Sequence, residues 1–173
     1  MTIETSSSTL VEIGEDREYE RALWAMFAVL GRPQSYIDVY SASGWMVRCA
    51  RVAGVRISRA VVPTRKRKTE IGKYAYAYIS TDFASEPFVR EQAFEMVSCF
   101  GYRITTGQFV QNLVSLTGKW LVIASLESPD RRIDSIQAAG LQYEYEFTER
   151  LQCALDGVKS AFWLPRNCAV FSR

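Results

Sequence analysis

The stretch PTRKRKTEIGKYAYAYIS, Pro63 to Ser80, sets four consecutive cations ahead of a run with tyrosine at every second position. Two kinds of chemistry can be built from it. Arg65, Lys66, Arg67 and Lys68 cannot be buried together, because four desolvated cations would cost far more than a loop could gain. They face solvent or something negative. Against nucleic-acid phosphates each contact would displace a condensed counterion. Against an anionic bilayer each would contribute about 1 kcal/mol, and a nuclear-import signal or a plainly solvated loop are the remaining readings. Tyr74, Tyr76 and Tyr78 point to one face of a strand. Each could stack a base, worth about 1–3 kcal/mol; the alternative is a sheet face packed under a helix.

The cations extend upstream. Arg48, Arg51, Arg56, Arg59, Arg65, Lys66, Arg67, Lys68 and Lys73 stand against the single acid Glu70, a local charge of +8 in a chain whose net charge is +2. The remainder therefore carries −6, and this asymmetry points to an anionic partner.

Residue types restrict the rest. The 173 residues contain no histidine, which removes Ser-His and Cys-His couples and the usual proton shuttle near neutral pH. Neither IGEDRE nor LTGKW has the spacing of a phosphate-binding loop. Asp82, Glu86, Glu144 and Glu146 could do acid–base work, but nothing in the sequence brings them together, and surface charge is the plainer reading. Cys49, Cys99, Cys153 and Cys168 form no C-x-x-C pair and read as small buried hydrophobes in a reducing compartment. No metal and no cofactor is expected.

The elements that would carry these residues suggest one compact domain, since 48% of the chain is hydrophobic and that supplies a sizeable core. Residues 1–14 read as a flexible acidic arm with a short strand at Thr9 to Ile13, and residues 15–173 as a single α+β domain. A first helix has Leu23, Met26, Phe27 and Leu30 at 3.6-residue spacing, ended by Gly31 and Pro33. Tyr36 to Tyr40 reads as a strand. Trp45–Cys49 and Val55–Arg59 alternate like two strands around Gly54. A second helix is expected from Ser85 to Phe100, with Val89, Ala93, Met96, Val97 and Phe100 on its apolar face. Strands follow, two of them joined at Thr117-Gly118 in a hairpin, then a third helix from Pro129 to Ala139. Residues 141–147 fit either a strand or the start of a final helix. The sum is an α+β fold with a mostly antiparallel sheet and about three to four helices.

Two families share features with these segments. GKYAYAYIS is similar to the aromatic strand of RNA-recognition-motif domains, although Gly72 precedes the lysine and Tyr78 is out of place. TLVEIGEDREYERALWAMFAVLGRPQSYIDV, AYAYISTDFASEPFVREQAFEMVSCFGYRI and TGKWLVIAS together resemble the matrix proteins of rhabdoviruses. That resemblance implies a non-enzymatic viral structural protein that self-associates, binds ribonucleoprotein or an anionic membrane through its basic patch, and forms part of a virion. A soluble RNA-binding regulator using the tyrosine strand is the alternative. The partners so implied are a second copy of the chain, RNA or ribonucleoprotein, an anionic membrane surface and nuclear import machinery. The setting would be the cytoplasm or nucleus of a host cell, with neither secretion nor a membrane span.

Overall fold

The computed structural model describes residues 7–40, 44–63, 76–79, 82–90, 92–100, 104, 106–125, 130–157 and 167–173. Helix α1 (Ser7–Leu30) leads to β1 (Ser35–Val39), α2 (Trp45–Val52), β2 (Ile57–Val62), β3 (Tyr76–Ile79) and β4 (Phe94–Phe100). Then come α3 (Gly107–Leu116), β5 (Thr117–Ser125), α4 (Asp130–Ala138), β6 (Gln142–Tyr143), α5 (Tyr145–Asp156) and β7 (Asn167–Ser172). The seven strands form one sheet in the order β3-β2-β1-β4-β5-β7-β6.

The expected antiparallel α+β sheet is corrected by the pairing. β3 with β2, β2 with β1, β1 with β4 and β4 with β5 are all parallel; only β7 runs antiparallel, against β5 and β6. The architecture is α/β. Parallel strands covered on both faces read as continuous apolar runs, without the alternation of a half-exposed sheet. In β4, FEMVSCF, every residue except the half-buried Glu95 is buried. Met96 and Phe100 enter one core and Val97 and Cys99 the other. The same residues satisfy a helical spacing by coincidence, so the helix expected from Ser85 to Phe100 is instead a turn followed by this strand. Ser85 does not cap a helix; its N–H closes a turn onto the Asp82 carbonyl at 2.9 Å.

Other local readings change for related reasons. Trp45–Val52 is a helix whose buried residues Met46, Val47, Cys49 and Ala50 share one face. Gly44 (φ 73°) opens it and Gly54 (φ 88°) closes the turn behind it, so the expected strand there is replaced. Thr117-Gly118 is not a hairpin. Helix α3 runs straight into β5, and Gly118 lies where a Cβ would come within 2.9 Å of the Phe94 carbonyl oxygen. The glycine thus serves close strand approach beside an irregularity in the β4–β5 register. The strand expected at Thr9 to Ile13 lies within α1. Residues 141–147 divide into β6 and the first turns of α5.

Other expectations match their elements. Leu23, Met26, Phe27 and Leu30 of α1 are all buried. The helix ends at Gly31 (φ 86°), whose N–H bonds the Phe27 carbonyl at 3.0 Å. Two cores result. One joins α1, α2 and α5 to one sheet face; the other joins α3, α4 and residues 83–88 to the opposite face. No helix among the described residues is long and apolar enough to cross a membrane.

Three of the four thiols, Cys49, Cys99 and Cys168, are buried, and Cys153 is exposed on α5. Burial, followed by the charges of Asp156 and Glu149, pushes Cys168 from 9.0 up to about 12. A raised thiol value means the native state holds its proton where the unfolded chain has lost it. This stabilisation is complete below pH 9.0 and is lost as pH climbs towards about 12. A disulfide reagent at neutral pH should therefore modify Cys153 alone in the native protein and all four thiols after unfolding. Denaturant midpoints should fall above pH 9.0, less steeply in Cys168→Ala. Rapid reaction of a second thiol in the native protein would contradict this arrangement.

Candidate active site at the carboxyl edge of the sheet

A strand order that runs outward from β1 in both directions has a switch point between β1 and β4. In open α/β sheets, ligands bind outside the carboxyl ends of the strands at such a point. Asp38 lies there, one residue inside the end of β1 and only 2% exposed. Its register partners are Ala60 on β2 and Ser98 on β4. Its Oδ1 accepts the Ser98 hydroxyl at 2.5 Å. Ser98 Oγ is 2.6 Å from the Tyr36 hydroxyl. Since the Ser98 proton is directed at Asp38, Tyr36 is the donor in the second bond. The three side chains form a buried relay that orients the carboxylate from below. Burial, then the Asp38 charge, raises Tyr36 well above its usual range, and the same two causes raise Cys99.

The next residue but one, Tyr40, has φ 58° and is the sole non-glycine with positive φ among the described residues. Left-handed backbone is costly for a bulky side chain and concentrates at functional sites. Its ring is held 5.7 Å from Phe83 and 5.8 Å, edge-on, from Phe109. Phe83 in turn meets Phe109 at 4.8 Å and Phe88 at 5.3 Å. These rings wall the β1 end on its α3 side.

The wall is tied down by Asn112, a buried residue of α3. Its Oδ1 accepts the Phe88 N–H at 2.8 Å, and its Nδ2 donates to the carbonyls of Phe83 and Glu86, each at 2.8 Å. Thr106, the N-cap of α3, accepts the Phe109 N–H at 3.1 Å and donates its hydroxyl to the Ala84 carbonyl. The carbonyls of Phe83, Ala84 and Glu86 and the Phe88 N–H thus find partners on α3 or its N-cap, while the N–H groups of Ser85 and Glu86 bond the Asp82 carbonyl.

Across the switch point, Gly44 begins α2, a helix with no side-chain N-cap bond. A helix start of this kind favours a negative group. Residues 41–43, 64–75, 80–81, 101–103 and 126–129, which follow the carboxyl ends of the five parallel strands, lie outside the described residues.

Few of the residues singled out from the sequence reach this edge. Arg65, Lys66, Arg67, Lys68, Lys73 and Tyr74 lie outside the described residues, and Tyr76 is placed by its backbone in β3. Arg48 lies on α2 with its guanidinium 4.6 Å from the Trp45 ring, and Arg51 is exposed on the same helix. Arg56 precedes β2 and Arg59 is its third residue, towards the opposite edge. The Tyr78 ring is not an open stacking platform: Phe88 meets it at 6.0 Å and the Arg90 guanidinium covers it at 4.1 Å. Asp82, Glu86, Glu144 and Glu146 do not converge, since the first two follow β3 and the others begin α5, where Glu144 accepts the Ser172 hydroxyl. Sequence reasoning passed over Asp38, Tyr40, Phe83 and Asn112. The available signal was an acid inside the apolar run YIDVY, followed by the small residues Ser41 to Gly44.

No family model matches the chain, and no curated protein matches it. Solved structures do. The sugar N-methyltransferase KedS8 from a Streptoalloteichus species superposes with TM-score 0.70 and 14% identity over 100% of this chain and 98% of its own. Magnesium protoporphyrin IX methyltransferase from Synechocystis, with bound S-adenosylmethionine, gives 0.65 and 13% over 94% and 81%. The fold is that of SAM-dependent methyltransferases. The [4+2]-cyclase SpnF also has it, at TM-score 0.56 and 11% identity over 80% of this chain and 66% of its own.

These matches overturn the resemblance to rhabdovirus matrix proteins and to RNA-recognition-motif domains. The stretches quoted for it run over α1 and β1, over β3 and β4, and along β5, and the structure joins these strands in parallel. The expectations of a viral structural protein that self-assembles in a virion, of an RNA-binding regulator and of a non-enzyme are corrected with it, because the structural neighbours are enzymes.

The donor set fits the amino-acid half of such a cofactor. Asp38 offers a carboxylate for a cationic centre, and the start of α2 offers N–H groups for an anionic one. A carboxylate after β2 commonly takes the ribose hydroxyls; β2 ends in Val61 and Val62, Pro63 follows, and Glu70, the only acid in the sequence between β2 and β3, lies outside the described residues.

Proposed function

We propose that the chain binds S-adenosylmethionine at the carboxyl edge of its sheet and transfers the methyl group to a nucleophile. The observation that carries this reading is the buried Asp38 at the switch point of a methyltransferase-type strand order. The cofactor, when bound, supplies a methyl group activated on a sulfonium. The protein's share is positioning and exclusion of water. Asp38, held by Ser98 and Tyr36, faces the cationic part of the ligand at a site where low polarity strengthens the attraction. The backbone at Gly44 and the start of α2 face its carboxylate. The wall of Tyr40, Phe83 and Phe109 keeps water from the α3 side. No histidine exists to take a proton, so an acceptor that is already nucleophilic at neutral pH, such as an unprotonated amine or a thiolate, suits this site best. A second copy, a membrane and import machinery, the other expected partners, carry no part of this reading.

Calorimetric titration of the full chain with S-adenosylmethionine tests the proposal. Saturable one-to-one binding is expected, and no binding at about 1 mM ligand, a free energy near −4 kcal/mol, overturns it. The end of β2, where no acid stands from Pro63 to Lys68 in the sequence, gives a second readout. Pro63→Asp adds a carboxylate directly after β2, and one charged hydrogen bond of about 1.5 kcal/mol should tighten binding roughly tenfold. A 2′-deoxyribosyl analogue should be penalised in this variant more than in the parent. Equal affinities throughout would remove the ribose argument.

A further inference from the structure

The end of β1 breaks the alternation of its own strand. Tyr36 lies in the core on the α1 and α2 side of the sheet, and Ile37 and Val39 lie in the core on the α3 side. Asp38 alternates onto the face of Tyr36, to which it is tied through Ser98. Successive strand residues point to opposite faces, so residue 40 belongs with Tyr36 and Asp38. Tyr40 instead follows Val39 into the α3-side core. The change of face coincides with its φ of 58°. The Tyr40 N–H still bonds the Val61 carbonyl at 2.8 Å, so the approach to β2 is kept up to this residue and the reversal is made there. On an extended backbone the ring would rise on the Asp38 face, roughly 7 Å further along the strand.

A tyrosine gains nothing from this conformation by itself. Glycine is the residue that adopts it without steric cost, and the first βα turn of nucleotide-binding α/β folds commonly uses one. Another side chain persists there only where its surroundings over-determine it. Here the surroundings are rings. Tyr40 is 8% exposed, and Phe83 and Phe109, which hold it, meet each other at 4.8 Å. Both are fastened through α3. Phe109 belongs to that helix and donates its N–H to the Thr106 cap, and the Phe83 carbonyl accepts from Asn112. The captured ring offsets the strain at its own backbone, and through it the α3 side of the sheet is coupled to the Asp38 side.

We propose that Tyr40 is a positioning residue for the ligand at Asp38. Its ring, captured by Phe83 and Phe109, holds the end of β1 left-handed and keeps the carboxylate's face of the sheet clear. The aromatic wall thereby sets affinity at a site on the opposite face. The identity of the ligand, S-adenosylmethionine, rests on the methyl-transfer reading; the conformational part of the proposal does not.

The test compares Tyr40→Gly with Tyr40→Ala in the full chain. Both lose the ring contacts, so what separates them is backbone preference. In urea unfolding without ligand, Tyr40→Gly should have the higher midpoint, because alanine is strained at a positive φ and glycine is not. A midpoint for Tyr40→Ala equal to or above it overturns the proposal. In calorimetric titration with S-adenosylmethionine, Tyr40→Gly should bind within about threefold of the parent and Tyr40→Ala roughly tenfold more weakly. Equal affinities in the two variants refute the positioning role and leave the cofactor reading intact. Absence of binding by the parent refutes the cofactor reading and the ligand part of the proposal with it, and is told apart because the order of urea midpoints persists. Phe109→Leu leaves residue 40 in place and keeps the test decisive should Tyr40→Ala fail to fold. It should weaken binding about threefold in the parent and leave Tyr40→Gly unchanged. An equal loss in both backgrounds contradicts the coupling through Tyr40.

Discussion

Asn112→Ala should destabilise the protein by about 3 kcal/mol, because it strips three hydrogen bonds from a segment that has no helix of its own. The residue is 3% exposed. Its removal leaves the Phe88 N–H and the Phe83 carbonyl without partners in an apolar setting, while the Glu86 carbonyl can turn to water. Each buried unsatisfied group costs about 1–3 kcal/mol. For a chain of this size the melting temperature should drop by roughly 6–12 °C. The damage should spread to both edges of the sheet, since Phe83 walls the carboxyl edge and Phe88 supports Arg90 at the amino edge. Asn112→Asp keeps the acceptor for the Phe88 N–H but points a carboxylate oxygen at two carbonyls, and should not rescue. Equilibrium urea unfolding is the direct measurement, and a loss below about 1 kcal/mol would show that residues 83–88 are held by apolar packing alone.

Asp38→Asn should separate binding from stability. The amide oxygen still accepts the Ser98 hydroxyl, so the relay to Tyr36 survives, but the buried charge is gone. A buried carboxylate is costly to desolvate, and replacing it with a neutral group of equal shape is neutral or stabilising. The variant should therefore unfold at the same denaturant concentration or a higher one. Affinity for S-adenosylmethionine should fall by roughly 10- to 100-fold, the worth of one charge-assisted hydrogen bond of about 1.5–3 kcal/mol. Ser98→Ala, which removes the group orienting the carboxylate, should give a smaller loss of affinity together with a loss of stability. Unchanged affinity in Asp38→Asn would detach the switch-point carboxylate from ligand binding and with it the proposed function.

The basic run led the sequence reading towards polyanions because charge asymmetry is visible without a fold. Part of that charge, Arg56 and Arg59, does line a cleft at the amino edge of the sheet. What the sequence did not supply was Arg90, some thirty residues away along the chain and brought to the same cleft by the segment that Asn112 fastens. Nor could it show that Phe88 and Arg90 meet the Tyr78 ring, since a strand's alternation says which residues share a face and not what covers that face.

From its own residues the chain determined the local matters. The apolar spacing and glycine stop of α1 and the helix expected from Pro129 to Ala139, which the structure has at Asp130–Ala138, rest on contacts within a few positions along the chain. The sheet is different in kind. FEMVSCF satisfies a helical spacing as well as a doubly buried strand, WMVRCARV satisfies an alternating strand as well as a helix, and local energetics separate each pair by little. Pairing decides between them, because Met96 meets Tyr36, and Ser98 meets Asp38, only when β1 and β4 lie parallel. That non-local choice turns an antiparallel expectation into an α/β fold. It also gathers Tyr36, Asp38 and Ser98, up to 62 positions apart, into one site, because a buried carboxylate needs hydrogen-bond partners that only the neighbouring strand can bring.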